Sequence, residues 1–123
     1  MMKKRILVVD DDPVCRSLLR VLLEEDGHIG ETAEDGPAVL TKLGQADYDA
    51  VLLDYIMPGP NGLTILQRIR QRYPSMPIVM ITGHSSGELT LRALAAGARA
   101  CLFKPFDCME FKQVLTRTVG TAA

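Results

Sequence analysis

The chain has 123 residues, 47% hydrophobic and 24% charged, with 14 Lys and Arg against 15 Asp and Glu and a formal net charge of −1. Those proportions fit one soluble domain with its own core and exclude a disordered or low-complexity chain. With no basic excess, no Trp, three Tyr and three Phe, neither bulk attraction to phosphates nor base stacking points to a nucleic-acid partner.

Met1-Met2-Lys3-Lys4-Arg5 has the basic head of a signal peptide, but the apolar run behind it, Ile6-Leu7-Val8-Val9, stops at Asp10-Asp11-Asp12. A secretory core needs about 7 to 15 apolar residues, so the expectation is a cytoplasmic start. No stretch approaches the roughly 20 apolar residues of a membrane span, and no membrane partner is expected. Ile6 to Val9 predicts a first strand, buried on both faces because it does not alternate with polar residues. Val14 to Glu25 predicts a helix with Leu18, Leu19, Leu22 and Leu23 in one stripe. His28 to Ala33 is a weaker strand, followed by a short helix over Pro37 to Leu43. Ala50 to Leu53 predicts a third strand and Leu63 to Tyr73 its helix, with Leu63, Leu66, Ile69 and Tyr73 as the apolar face. Ile78 to Ile81 and Ala100 to Phe103 predict two more strands. Glu88 to Ala96 and Met109 to Thr118 predict the last helices, and Gly27, Gly44 and Gly97 stand where helices are expected to stop. Cys15, Cys101 and Cys108 are odd in number and lack CxxC spacing, which suits free thiols in a reducing compartment.

Five strand-then-helix units in strict alternation imply a parallel sheet with right-handed crossovers and helices on both faces. The length fits an α/β, flavodoxin-like (βα)5 three-layer sandwich with strand order 2-1-3-4-5. The whole chain, 1–123, reads as one domain, with Gly120-Thr121-Ala122-Ala123 as a tail or the start of a linker.

Chemistry is expected where the strands end. Strand 1 runs into Asp10-Asp11-Asp12, strand 3 into Asp54, strand 4 into Thr82 and strand 5 into Lys104. In an open parallel sheet these positions share the carboxyl edge, where ligands bind near the switch in strand order. Asp10, Asp11 and Asp54 then converge, and carboxylates crowded together raise one another's pKa unless a cation intervenes. Oxygen-only ligands, incompletely wrapped, favour Mg²⁺ with several waters retained. Lys104 offers a point charge and Thr82 a hydroxyl to phosphoryl oxygens. Asp54, alone at its strand end, is the best nucleophile for a covalent acyl phosphate, while adjacent Asp10 and Asp11 suit metal binding. Taken singly, an Asp after a strand is a common turn residue. Four suitable residue types on four strand ends seldom coincide by accident.

The sequence resembles the receiver domain of two-component response regulators over nearly its whole length. The resemblance rests on Ile6-Leu7-Val8-Val9-Asp10-Asp11-Asp12-Pro13, Asp54-Tyr55-Ile56-Met57-Pro58-Gly59-Pro60-Asn61-Gly62, Met80-Ile81-Thr82-Gly83, and Ala95-Ala96-Gly97-Ala98 running on to Phe103-Lys104-Pro105-Phe106. It implies that Asp54 accepts a phosphoryl group from a histidine kinase or histidine phosphotransfer protein. It implies Mg²⁺ held directly by Asp11, Asp54 and the backbone carbonyl of Ile56, and by Asp10 through water. Thr82, Gly83 and Lys104 would bind the phosphoryl group, and Lys104-Pro105 would be a cis peptide. The protein would catalyse only its own phosphotransfer and dephosphorylation. Its signalling face would be helix 4, strand 5 and helix 5, about Ser86 to Thr118, acting on an output domain or target protein. Pairing of two copies through that face is left open.

Some positions depart from the family pattern. Cys101 stands where an aromatic switch residue is usual and is too small to fill the same space, which shifts attention to Phe103 and Phe106. Asn61 replaces a frequent Asp, a change that turns and caps tolerate. Ile56 and His84 occupy positions that the resemblance links to the lifetime of the phosphate. Two other functions compete. Asp10-Asp11-Asp12-Pro13-Val14 can be read as the opening signature of a haloacid-dehalogenase-type phosphatase, with Asp10 as nucleophile and Asp12 as general acid; this leaves Asp54 idle, with Asp107 and Glu110 as the remaining acidic pair. A receiver fold used as a phosphorylation-independent binding module is the other.

Overall fold

Val, Ile and Leu runs without polar alternation need apolar cover on both sides, and the fold supplies it as three layers. The computed structural model describes residues 3–57, 59–83 and 87–120. In chain order the elements are β1 (Arg5–Val9), α1 (Pro13–Glu25), β2 (Ile29–Ala33), α2 (Gly36–Gln45), β3 (Ala50–Asp54), α3 (Gly62–Arg72), β4 (Ile78–Thr82), α4 (Gly87–Ala95), β5 (Ala100–Phe103) and α5 (Cys108–Val119). All strand pairs are parallel, in the order β2-β1-β3-β4-β5 expected from the sequence.

Period-two alternation sorts the strand side chains into two cores. Leu7, Val9, Val51, Leu53, Ile78 and Met80 face the layer of α2, α3 and α4, where Val39, Leu66, Ile69 and Ala93 meet them. Ile6, Val8, Leu52, Val79 and Ile81 face α1 and α5, against Leu19, Leu23, Phe111 and Leu115. No helix among the described residues is long and apolar enough to cross a membrane.

The boundaries differ from expectation where side chains rather than hydrophobicity decide them. Asp54 and Thr82 are the last residues of β3 and β4, not the first of the loops. Asp12, Asp35, Asn61 and Asp107 cap α1, α2, α3 and α5 by accepting from a backbone N–H inside the first turn, which fixes each helix start just after the cap. Gly27 and Gly97 follow helix ends with φ of 85° and 109°, as expected. Gly44 does not stop a helix: it lies inside α2, which runs on to Gln45, because the turn there is closed by Ala46 N–H donating to Lys42 O at 3.2 Å.

The ends of α3 and α4 are tied by a single side chain. Arg70 donates through Nη1 to Tyr73 O (3.1 Å) and Pro74 O (2.9 Å), and through Nη2 to Gly97 O (2.6 Å). A Cβ on Gly97 would lie 2.6 Å from Arg70 Nε, so the guanidinium occupies space that only glycine leaves.

His28, just before β2, has a fully buried side chain, and neither ring nitrogen is hydrogen-bonded. Burial pushes the imidazole below its ordinary value of 6.5, with Asp26 working against the shift and Lys4 with it. An imidazole held lower in the folded state binds fewer protons than in the unfolded chain, so stability is lost as pH falls below about 6.5. In urea unfolding, the difference between His28→Leu and wild type is therefore expected to move in the variant's favour from pH 7 to pH 5. A difference that stays constant over that range would contradict this reading.

Candidate functional site

The parallel strands deliver their final residues to one edge. Asp10 follows β1, Asp54 ends β3, Thr82 ends β4 and Lys104 follows β5. Asp10, Asp54 and Thr82 are buried at 1%, 6% and 1% exposure, a placement that carboxylates tolerate only when partnered. One oxygen from each of Asp10, Asp11 and Asp54 lies within 4.8 Å of the others. Lys104 Nζ stands 3.0 Å from Asp10 Oδ2 and 3.4 Å from Asp54 Oδ2. The Lys104-Pro105 peptide is cis.

The three carboxylates are not equivalent. Asp10 is used on every side: Oδ2 by Lys104, Oδ1 by the Asp12 N–H at 2.9 Å, and its carbonyl by Arg16 Nη1 at 2.9 Å. Asp54 Oδ1 accepts a long bond of 3.4 Å from Ile56 N–H. Asp11 is exposed and opens onto a cleft of about 420 Å³ lined by Glu34, Asp35, Pro37, Gly59 and Pro60. Three carboxylates against one ammonium leave a charge deficit that falls mainly on Asp54. Its carboxyl is pushed up to about 6, first by burial and then by Asp10, with Lys104 pulling the other way. Burial works to lower Lys104, but its hydrogen bond to Asp10 and the charges of Asp54 and Asp10 outweigh that and hold it well above 10.5.

The donor set fits a hard divalent cation. All the side-chain ligand atoms are carboxylate oxygens, and the Asp11 side is open, which leaves room for the waters that Mg²⁺ keeps.

The other residues singled out in the sequence fall into two groups. Thr82 lies between Asp54 and Lys104 along the edge: Lys104 N–H donates to its carbonyl at 2.8 Å, and Tyr55 N–H donates to Ile81 O at 2.9 Å. Gly83 follows it, exposed, and Ile56 forms an apolar rim at 51% exposure. Cys101 is set back from the edge, paired with Met80 and half-buried against the core on the α4 side. Burial raises its thiol and a hydrogen bond with Thr90 lowers it, the net being upward from 9.0. Phe103 shares that face by strand alternation, opposite Thr82. Phe106 does not: its ring stacks on Phe111 at 5.9 Å, in the α1–α5 layer. His84 lies outside the described residues.

Asp12 is spent on capping α1, its Oδ1 accepting from Val14 N–H at 3.0 Å. Asp107 caps α5 by accepting from Glu110 N–H at 2.7 Å. The general acid that a dehalogenase-type phosphatase would use, Asp12, and one member of its acidic pair, Asp107, are thus helix caps. Arg16 and Gly62 touch the site's backbone and were not singled out in the sequence. A cation in the first turn of a helix opposes the helix dipole, but that misfit does not point to Arg16's partner, a main-chain carbonyl.

A family model described as response regulator receiver domain matches residues 6–116. The transcriptional regulatory protein TcrA of Mycobacterium tuberculosis is 37% identical over 106 residues, which cover 86% of this chain and 42% of TcrA. The chain thus spans less than half the length of the curated relatives it matches first. The crystallised chemotaxis protein CheY4 of Vibrio cholerae superposes with a TM-score of 0.89 at 32% identity, covering 96% of this chain and 99% of that one. The response regulator TrrA of Thermotoga maritima, solved in complex with Mg²⁺-BeF, gives a TM-score of 0.85 at 37% identity, covering 94% and 98%.

Proposed function

The chain belongs to the response regulator receiver domains, and from that premise we propose that it is a phosphoacceptor switch whose reacting atom is a carboxylate oxygen of Asp54. The observation that carries this is the pairing of Lys104 Nζ with both Asp10 and Asp54, at 3.0 and 3.4 Å, beside the open Asp11 carboxylate.

The donor is a phosphohistidine on a histidine kinase or histidine phosphotransfer protein. An Asp54 oxygen attacks phosphorus, the P–N bond breaks, and the imidazole leaves with the electron pair and takes up a proton. Asp54 must be ionised to attack; its carboxyl titrates at about 6 without metal, and a bound divalent cation would favour the ionised form. Lys104 then exchanges a carboxylate for the transferred phosphoryl oxygens, and the Thr82 hydroxyl and Gly83 backbone bind another. Mg²⁺, held by Asp11, Asp54 and the Ile56 carbonyl and through water by Asp10, would neutralise charge on the phosphoryl group. Most of the rate advantage is positioning and charge compensation.

No second substrate is turned over; the chain works on its own carboxylate. Output follows if phosphate contacts at Thr82 and Lys104 bias two arrangements of α4, β5 and α5. Leu91 and Leu94 of α4 are 70% and 44% exposed, which supports a protein-binding role for that face toward an output domain or a target protein.

Incubated with Mg²⁺ and a small acyl phosphate, the protein is expected to gain one phosphoryl group by intact mass, and Asp54→Ala none. Uptake that persists in Asp54→Ala but vanishes in Asp10→Ala would overturn the assignment and make Asp10 the nucleophile. No uptake in either variant or in wild type would favour a phosphorylation-independent binding module.

A further inference from the structure

We infer that Arg16 is a positioning residue for the divalent cation: by holding the main-chain carbonyl of Asp10, it fixes the angle at which the next residue, Asp11, presents its carboxylate. The inference rests on the proposed metal-assisted phosphoacceptor function and extends it to a side chain that touches none of the reacting atoms.

The β1–α1 connection is only three residues long, Asp10 to Asp12. Besides the first helical bond of α1, from Arg16 N–H to Asp12 O at 3.0 Å, four hydrogen bonds hold it. Asp10 N–H donates to Ala33 O at 3.2 Å, and Arg16 Nη1 donates to Asp10 O at 2.9 Å. Asp12 N–H donates to Asp10 Oδ1 at 2.9 Å, and Val14 N–H donates to Asp12 Oδ1 at 3.0 Å. Three of these are built from the loop's own groups or from the adjacent strand β2. The Arg16 bond alone among them comes from a side chain one turn into α1, and it grips the peptide that joins Asp10 to Asp11. The side chain of Asp11 itself accepts no hydrogen bond among the described residues, so the fold fixes only the direction in which it leaves the backbone, which that peptide sets.

Helix physics argues against Arg16 being an incidental surface cation. It stands in the first turn of α1, where the helix dipole disfavours positive charge, and it is half-buried rather than extended into solvent. Its guanidinium returns toward the strand edge to reach Asp10 O, and Arg16 lines a cleft together with Thr32, Ala33, Glu34, Ala38 and Lys42. A charged donor on a carbonyl makes a stronger, more directional bond than a neutral one. Groups that orient metal ligands in this indirect way change metal affinity by about 10- to 100-fold when removed.

The test is Mg²⁺ titration of wild type, Arg16→Met and Arg16→Lys, followed by amide shifts of Asp11 and Asp54, with metal-free urea unfolding measured alongside. Arg16→Met keeps the apolar stem and loses the donors; its Mg²⁺ affinity is expected to fall about 10-fold while its metal-free urea midpoint stays close to wild type. Arg16→Lys keeps a charged donor and is expected to recover part of the affinity. Saturating Mg²⁺ should restore the phosphorylation rate of Arg16→Met, which loss of a catalytic group would not permit. Affinity within about twofold of wild type, or a loss that only tracks unfolding of the metal-free variant, overturns the inference. Should Arg16→Met not fold, Arg16→Gln, too short to reach the carbonyl, is judged by the same criteria. Absence of Mg²⁺ binding in wild type would instead strike at the proposed function itself.

Discussion

Asp54→Asn is expected to be more stable than the wild-type protein at pH 7 in metal-free buffer, by on the order of 1–3 kcal/mol in urea unfolding. The cause is the cost of keeping Asp54 ionised. Its carboxyl is buried beside Asp10, and the single ammonium of Lys104 is divided between them, which leaves the group titrating near 6 rather than 3.8. Between those values the folded protein binds the proton and the unfolded chain does not. Folding is therefore favoured by this group at low pH and penalised as pH rises through about 6. An Asn has no such charge to conceal, so the gap between variant and wild type should close below about pH 4. Mg²⁺ should reverse the order at pH 7, because a ligand bound only by the folded state adds stability by mass action and the variant lacks one of the ligands. If Asp54→Asn proves less stable than wild type at pH 7 without metal, the carboxylate is not strained, and the electrostatic case for the cation weakens with it. The site thus holds an unfavourable charge that binding relieves.

Gly62→Ala is expected to cost about 3 kcal/mol and to slow phosphoryl uptake by roughly 100-fold, the scale of a 1 Å misplacement of a reacting group. Gly62 begins α3, and its N–H donates to Tyr55 O at 2.7 Å. A methyl there would press on the Asp54 carbonyl oxygen and sit 2.6 Å from Tyr55 Cα. These are backbone atoms of the residue that carries the reaction and of its neighbour, so neither can turn aside as a flexible side chain could. Relief must come from shifting the end of β3 or the start of α3. Gly87, which begins α4, is the control: a Cβ there meets nothing within 4 Å, and Gly87→Ala should be neutral or slightly stabilising. Equal stability and equal uptake rates for Gly62→Ala and Gly87→Ala would show that α3 yields more easily than this packing implies.

Much of the architecture was readable because β1, β3 and β4 are buried on both faces and can tolerate no polar alternation. Ala100 to Phe103 matched to the residue. The errors came from effects that hydrophobicity does not record. Asp54 and Thr82 extend their strands because ladder bonds continue past the last apolar side chain. Gly44 stays helical because nothing requires it to adopt a positive φ. Asp10, Asp11, Asp54 and Lys104 could be brought together from topology alone, since parallel strands carry their ends to one edge. Arg16 could not, because its partner is a main-chain carbonyl, and every residue has one. Gly62 was equally silent: its constraint is the space left by Tyr55 and Asp54, which is a property of the packed loop.

The Arg70 tie also sets what kind of motion α4 can undergo. The carbonyl of Gly97, just beyond the helix, is held at 2.6 Å by a guanidinium rooted in α3. The opposite end, at Gly87, lies on the Thr82 side of the sheet. A rod pinned at one end cannot translate along its axis; it can only swing. Nine residues at about 1.5 Å each make a lever roughly 13 Å long, with its fulcrum at Arg70.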